Sequence, residues 1–324
     1  MRAARYHHYG GPEVVHFEEV DKPAVPDDGV LVRVRASSIN PADWHTMNGT
    51  PLLARPTWGM RAPKDPRLGI DFAGTVEGVG PSVKQLRVGD EVFGGGSGAY
   101  AEYVAVPESK SVVLKPANVS FEEAAAVPVA AVTALQGLRD HGHVTAGQKV
   151  LINGASGGVG TYAVQIAKSF GAQVTGVCST QNVEMVRSIG ADRVVDYKKD
   201  DFTTGSERYD LLLDIAGSRS WSDMRRVLKP DATYVIVGGQ KGGPLLGPLT
   251  HTIGVRMATM RVSQRLVLFF IAKLNREDML VLKELLESGK VKSVIDRRYK
   301  LDEISDALAY VLDGHARGKV VVTV

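Results

Sequence analysis

The chain of 324 residues reads as α/β, with a β-rich domain and a doubly wound parallel-sheet domain sharing one polypeptide. Three observations predict this. Before residue 120, alternating runs such as VLVRVRASSI, FAGTVEGVG and AYAEYVAV are broken by turn residues such as Asp28-Gly29, the mark of short strands. From Phe121 to Val262, the apolar runs KVLIN, QVTGVC, RVVDY, YDLLLDIA and TYVIVGG alternate with helical patterns, which argues for a parallel sheet with helices on both faces. After Arg276 come two helical patterns, REDMLVLKELLESG and DEISDALAYVLDG, and a closing strand, GKVVVTV. That tail is too small to stand alone, so it is expected to complete the first half. The division predicted is 1–124 with 263–324, and 125–262.

Composition removes several classes of function. With 44% hydrophobic and 23% charged residues the chain can bury a sizeable core. Lysine plus arginine number 39 against 36 acidic residues, interspersed, so no basic stripe for nucleic acid is expected. The single cysteine, Cys178, excludes an internal disulfide and zinc sites built on several thiolates. It favours a reducing, cytoplasmic location and reads as a small apolar filler at a strand end. The start, MRAARYHHYGG, lacks the apolar run of a signal peptide, and LVLFFIA is too short to span a bilayer, so no membrane span is expected.

The most informative stretch is KVLINGASGGVGTYAVQIAKSFGAQVTGVCST. A strand ends at Asn153, and Gly154, Gly157 and Gly160 follow at every third position, with Ser156, Gly158 and Val159 between them. In such a turn the first glycine permits a tight reversal, the middle ones let backbone approach a pyrophosphate, and the last lets helix and strand pack closely. Val159, Ala163, Ile166, Ala167 and Phe170 form a stripe facing the sheet, and Gly171 closes the helix. The helix N-terminus is left to face an anion. Strand, turn, helix and second strand in order predict a dinucleotide site.

The second strand ends in Ser179-Thr180, nineteen residues beyond Gly160. An NAD site carries there an acidic residue that accepts from the adenosine ribose. Hydroxyls in its place remove repulsion of a 2′-phosphate, with Arg187 and Tyr197 in reach, so NADPH is the cofactor expected. The same two residues would also serve as caps for a helix starting near Val183.

Seven segments, GASGGVGTYAVQIAK, VCST, GADRVVDY, SSINPADW, GIDFAGTVEGVG, VGDEVFG and GHARGKVVV, together resemble the medium-chain dehydrogenase/reductase superfamily, in its zinc-independent quinone oxidoreductase branch. The resemblance spans the chain. It implies a GroES-like catalytic domain formed from both chain ends, a Rossmann domain, and a nicotinamide in the cleft. It carries cofactor contacts onto Asn40, Thr133, His315, Ala316 and Arg317. Gly238, Gly239 and Gln240 end a strand at the carboxyl edge of the sheet, where ligands bind.

Departures from the zinc-dependent relatives are equally informative. Ile70 and Asn40 stand at two of their metal-ligand positions, and neither suits Zn²⁺ as imidazole and thiolate do. No metal is therefore expected. His141 and His143 lack a cysteine or carboxylate cluster and read as a surface loop.

Asn40 and Asp43 remain as the candidate catalytic residues. Asn40 can donate its amide near the nicotinamide or a substrate carbonyl, or serve as a turn residue before Pro41. Asp43 can cap a turn beginning at Trp44, and Thr133 can bond its own helical turn. The reaction expected is hydride transfer to an enone, enal or quinone, with neutral donors stabilising the oxygen. A redox-sensing or scaffold protein that binds NADPH is the alternative. Pro51 to Pro66 reads as an irregular pocket lining that orders on ligand binding, and exposed sheet edges leave a homodimer open.

Overall fold

A computed structural model describes residues 1–238, 255, 263–268, 270–314 and 316–324. The chain divides into two compact units, Met1–Val132 with Lys273–Val324, and Thr133–Ala272. The helix Pro128–Gln136 runs through the first boundary, so the division falls later than the change of sequence character near residue 120.

The first unit starts with β1 (Arg2–Arg5) and β2 (His16–Glu19), an antiparallel pair. β3 (Gly29–Ser38), β4 (Asp71–Val79), β5 (Glu91–Gly95), β6 (Tyr103–Pro107) and β7 (Val113–Leu114) follow. In β3, Val32 and Val34 are buried while Arg33 and Arg35 face solvent, the alternation of a half-covered strand. Beyond Arg35 the strand is buried throughout, which carries Ser37 and Ser38 inside.

The second unit holds β8 (Lys149–Asn153), β9 (Gln173–Cys178), β10 (Arg193–Asp196), β11 (Tyr209–Asp214), β12 (Leu228–Ile236) and β13 (Arg265–Val267). All pair in parallel, in the order β10-β9-β8-β11-β12-β13. Numbered within this unit the order is 3-2-1-4-5-6, that of a doubly wound dinucleotide-binding sheet, with its switch point between β8 and β11. The helix Gly158–Ser169 buries Tyr162, Ala163, Ile166 and Ala167, and Gly171 follows it in the left-handed region at φ +81°. Beneath the sheet Trp221 stacks on Tyr234 at 5.6 Å, next to Leu151 and Leu212. Each large side chain so buried stabilises the unit by about 1.5–3 kcal/mol.

The chain then returns. β14 (Ile295–Lys300) and β15 (Lys319–Thr323) join the first unit's sheet in the order β14-β15-β3-β4-β5-β7, with β6 also on β3. β15 pairs antiparallel with β3, Val321 opposite Ser38.

The stretch from Pro51 to Pro66 is more regular than its prolines suggested. It forms helical turns at Leu52–Ala54 and Arg55–Trp58. Tyr9 donates to the Gly59 carbonyl at 2.7 Å, and Arg55 donates to that of Gly49 at 3.0 Å while lying over the Tyr9 ring. Leu266 and its neighbours form the edge strand β13, and no described helix is long and apolar enough to cross a membrane.

Candidate active site

In the second unit the site is built at the switch point. Gly154 takes φ +93°, and its carbonyl lies where a Cβ on Gly160 would stand, at 2.1 Å. A Cβ on Gly157 would meet only the Gly154 carbonyl, at 3.6 Å, so the middle of the turn is open to a ligand. Beside it Asn153 donates to Asp214 at 2.8 Å, Tyr234 donates to the other Asp214 oxygen at 2.7 Å, and the Gly217 N–H donates at 2.9 Å. These bonds pin the carboxyl ends of β8 and β11, the two strands that flank the crevice.

Ser179 is buried at the end of β9. The Asn182 amide donates to Ser179 Oγ and to Ser156 Oγ, each at 3.1 Å, and so ties the end of β9 to the glycine turn. Asn182 Oδ1 is buried with no hydrogen-bond partner among the described residues. Neither Ser179 nor Thr180 caps the helix Val183–Ser188: Ser179 stands before a 3-10 turn, Thr180–Asn182, with no side-chain cap bond, and Asn182 holds the cap position of the helix. Tyr197 is half-exposed, and its N–H donates to the Cys178 carbonyl at 3.0 Å, which sets it beside Ser179. Arg187 pairs with Glu184 at 2.5 Å.

Two residues here escaped the sequence reading. Asn182 lies two positions past a noted hydroxyl pair, and its amide was the available signal. Asp196 ends β10 opposite Cys178. Hydrogen bonds from Thr180 and the Lys198 N–H hold its carboxyl below the usual range, so an anion stands next to the expected phosphate position, followed by Lys198 and Lys199. Burial pushes the Cys178 thiol up to about 11, in keeping with a filler rather than a nucleophile.

In the first unit a buried polar cluster gathers around Asn40. The helix Pro41–Asn48 begins just after it, and the Asn40 N–H donates to Asp43 Oδ2 at 2.8 Å. Asp43 is thus the third residue of that helix reaching back to its start, not the cap of a turn at Trp44. Its Oδ2 also accepts from the Tyr100 hydroxyl at 2.8 Å. The Asn40 amide donates to Asp71 Oδ2 at 2.8 Å, and its Oδ1 accepts from the Lys319 ammonium at 2.5 Å. Asp71 further accepts from Ser38 Oγ at 2.9 Å and from the Val129 N–H at 3.0 Å, at the start of the helix Pro128–Gln136. Lys319 also donates to the Ile39 carbonyl at 3.0 Å and lies 3.6 Å from Asp71.

Asn40, Asp43, Asp71, Tyr100 and Lys319 are all 3% exposed or less. Burial is the main force on their protonation. It pushes Asp43 up to about 7 and Asp71 upward, and lowers Lys319. Two carboxylates share one ammonium in a place that water does not reach, so one proton is readily held there.

Asn40 is therefore less free than its sequence suggested. One amide hydrogen goes to Asp71 and the oxygen is taken by Lys319, so only the second amide hydrogen lies outside these bonds.

Thr133 lies half-buried inside the helix Pro128–Gln136. Gly238 follows β12 with its N–H directed to the Asp214 carbonyl at 3.3 Å. Ala316 packs on the core around Tyr6 and Leu308, and the Arg317 N–H donates to Asp296 at 3.0 Å. Gly239, Gln240 and His315 lie outside the described residues. Ile70 directly precedes β4. The His141 ring packs 4.3 Å from that of Phe270, and among the described residues no group of three or more His, Cys, Asp or Glu is placed to hold a metal.

Residues 26–117 match the alcohol dehydrogenase GroES-like domain family, and residues 189–322 match the zinc-binding dehydrogenase family. The chain is 35% identical to the chloroplast envelope quinone oxidoreductase homolog of Arabidopsis thaliana, over 99% of this chain and 98% of that one. The chain belongs to the medium-chain dehydrogenase/reductase superfamily. It is also 34% identical to the chloroplastic NADPH-dependent alkenal/one oxidoreductase of Arabidopsis thaliana, over 99% of this chain and 79% of that one. Among solved structures, the Escherichia coli quinone oxidoreductase complexed with NADPH superposes with a TM-score of 0.83 at 25% identity, over the whole of both chains. As a member of this superfamily the chain is an oxidoreductase, with a GroES-like unit and a Rossmann unit whose turn fits a nicotinamide dinucleotide.

Proposed function

We propose that this protein is a zinc-independent, NADPH-dependent reductase of enones, enals or quinones, acting in the cytoplasm. The observation that carries the cofactor choice is Ser179, a hydroxyl at the end of β9 held by Asn182 against Ser156 of the glycine turn. A carboxylate at this position would repel a 2′-phosphate, while hydroxyls suit it, and Lys198 and Lys199, the latter 3.9 Å from Asp196, offset the charge of that neighbouring carboxylate. The substrate class is supported by the relatives, which are named for quinone and for alkenal/one reduction.

When bound, the reduced nicotinamide supplies a hydride from its C4 carbon. The chain's part is to orient the acceptor and to stabilise the charge that gathers on its oxygen until the enolate takes a proton from water. The remaining Asn40 N–H is the neutral donor offered to that oxygen. A conjugated acceptor is already electron-poor at its β-carbon, so a neutral donor suffices where a simple alcohol would need a Lewis acid. Asp43 fixes the Asn40 backbone through its N–H and, pushed up to about 7 by burial, is partly protonated near neutrality. Asn40→Ala is expected to lower kcat more than it raises KM, by about 10²–10³ if the amide acts on developing charge. Steady-state NADPH oxidation with a panel of enones and quinones, against saturated alcohols with NADP⁺, tests the assignment. Turnover confined to alcohols would overturn it.

A further inference from the structure

We infer that Lys319 is a positioning residue that sets which way the Asn40 amide points, an inference that rests on the conjugate reduction proposed above. An asparagine amide carries an acceptor at one end and two donor hydrogens at the other, and a half-turn exchanges them. Here Oδ1 faces an ammonium, which can only donate, at 2.5 Å, and Nδ2 faces a carboxylate oxygen at 2.8 Å. That carboxylate also accepts from Ser38 and from the Val129 N–H. The reversed amide would set N–H against the ammonium and oxygen against the carboxylate, two repulsive contacts with no water to relieve them. Only one orientation is compatible with the cluster, and it fixes the direction of the second N–H.

The ammonium is itself anchored. Lys319 opens β15, lies opposite Ile295 of β14 in register, and donates to the Ile39 carbonyl, while the Ile39 N–H donates to the Val320 carbonyl at 3.0 Å. The closing strand and the Asn40 loop are thus held together on both sides of the amide. A buried lysine is costly to desolvate, and an apolar side chain of similar length would fill the same space at lower cost. Its presence 3% exposed is accounted for by a task that needs a fixed donor.

The test compares Lys319→Met and Lys319→Gln in the intact protein. Each is assayed for NADPH oxidation with an enone, and water exchange of the Asn40 side-chain amide is followed by ¹H–¹⁵N spectroscopy, its signals identified by their loss in Asn40→Leu. Methionine fills the space without a donor, so kcat should fall by roughly 10–100-fold, as it does when the outer partners that orient metal ligands are removed, with KM near wild type and faster amide exchange. Glutamine restores an N–H donor without the charge, and should return kcat and slow exchange toward wild type. Wild-type kcat in the methionine variant, unchanged amide exchange, or glutamine as impaired as methionine would each overturn the inference. Should Lys319→Met fail to fold, Lys319→Gln decides: a folded variant with kcat lost contradicts the orienting role, and one with kcat and amide protection retained supports it. If the wild type itself does not oxidise NADPH with enones, the proposed reaction fails, while amide exchange still shows whether Lys319 orients Asn40.

Discussion

The Lys319 ammonium donates to the Asn40 amide oxygen over 2.5 Å, although the two residues are 279 positions apart in the chain. The bond depends on the tail returning to the first unit, where β15 lies against β3. It sets a cation inside the cluster that also holds Asp43 and Asp71, and that has a direct bearing on metal content. Purified protein is expected to hold no stoichiometric zinc and to keep its turnover in chelator, because Asn40 and Ile70 offer an amide and an alkyl group where the zinc-dependent relatives have ligands. Elemental analysis showing tightly bound zinc in each chain would contradict this.

The same cluster predicts a pH dependence of stability. Burial raises Asp43 from 3.8 to about 7, against the pull of Tyr100, the Asn40 N–H and Lys319, and Asp71 adds to the rise. Between those values the folded state holds a proton that the unfolded chain has released. Stability should therefore fall as pH rises through that window and level off above it. Asp43→Asn keeps the shape and removes the titration, so its urea midpoint should fall less steeply over the same range. An identical slope in the two proteins would mean that Asp43 is not the group responsible.

The glycine turn separates packing from binding. A Cβ on Gly160 would stand 2.1 Å from the Gly154 carbonyl and 2.8 Å from Ala155 backbone atoms, none of which can rotate away. Gly160→Ala should cost about 1–3 kcal/mol of stability, as overpacking does. At Gly157 the added carbon meets one atom at 3.6 Å, ordinary contact. Gly157→Ala should leave the melting temperature near wild type and weaken NADPH binding, since the carbon occupies the path by which a pyrophosphate approaches the backbone. Fluorescence titration beside thermal melts checks both. Unchanged affinity in Gly157→Ala would place the phosphates elsewhere.

Much of the second unit was legible because its signals are local. Lys149–Asn153, the glycine turn, the helix and Gln173–Cys178 are contiguous, and Gly154, with its positive φ, and Gly160, with no room for a Cβ, have backbone reasons that match their spacing. The cluster of the first unit was not legible. Asp71 appeared only as part of GIDFAG and Lys319 only as the head of an apolar strand, and no local pattern shows that β15 returns to bring them to Asn40. A lone lysine opening a buried strand was the one available hint. Asp43 was misread for a smaller reason: the helix starts at Pro41 rather than Trp44, which turns a cap into a residue that reaches back.

Cofactor preference follows from Ser179. NADPH should bind more tightly than NADH, and Ser179→Asp should reverse the order by placing a carboxylate against the 2′-phosphate and beside the ribose hydroxyls, each charge-assisted bond contributing about 1.5–3 kcal/mol. Asn182→Ala should raise KM for NADPH by releasing Ser179 from Ser156. Titrations that give equal affinities for both cofactors before and after Ser179→Asp would show that the end of β9 does not make the choice.

The position of the transferred hydride tests the central claim most directly. With NADPH deuterated at C4 and an enone acceptor, the label should be found on the β-carbon of the saturated ketone. Label on the carbonyl carbon, or no NADPH oxidation with any conjugated acceptor, would contradict it.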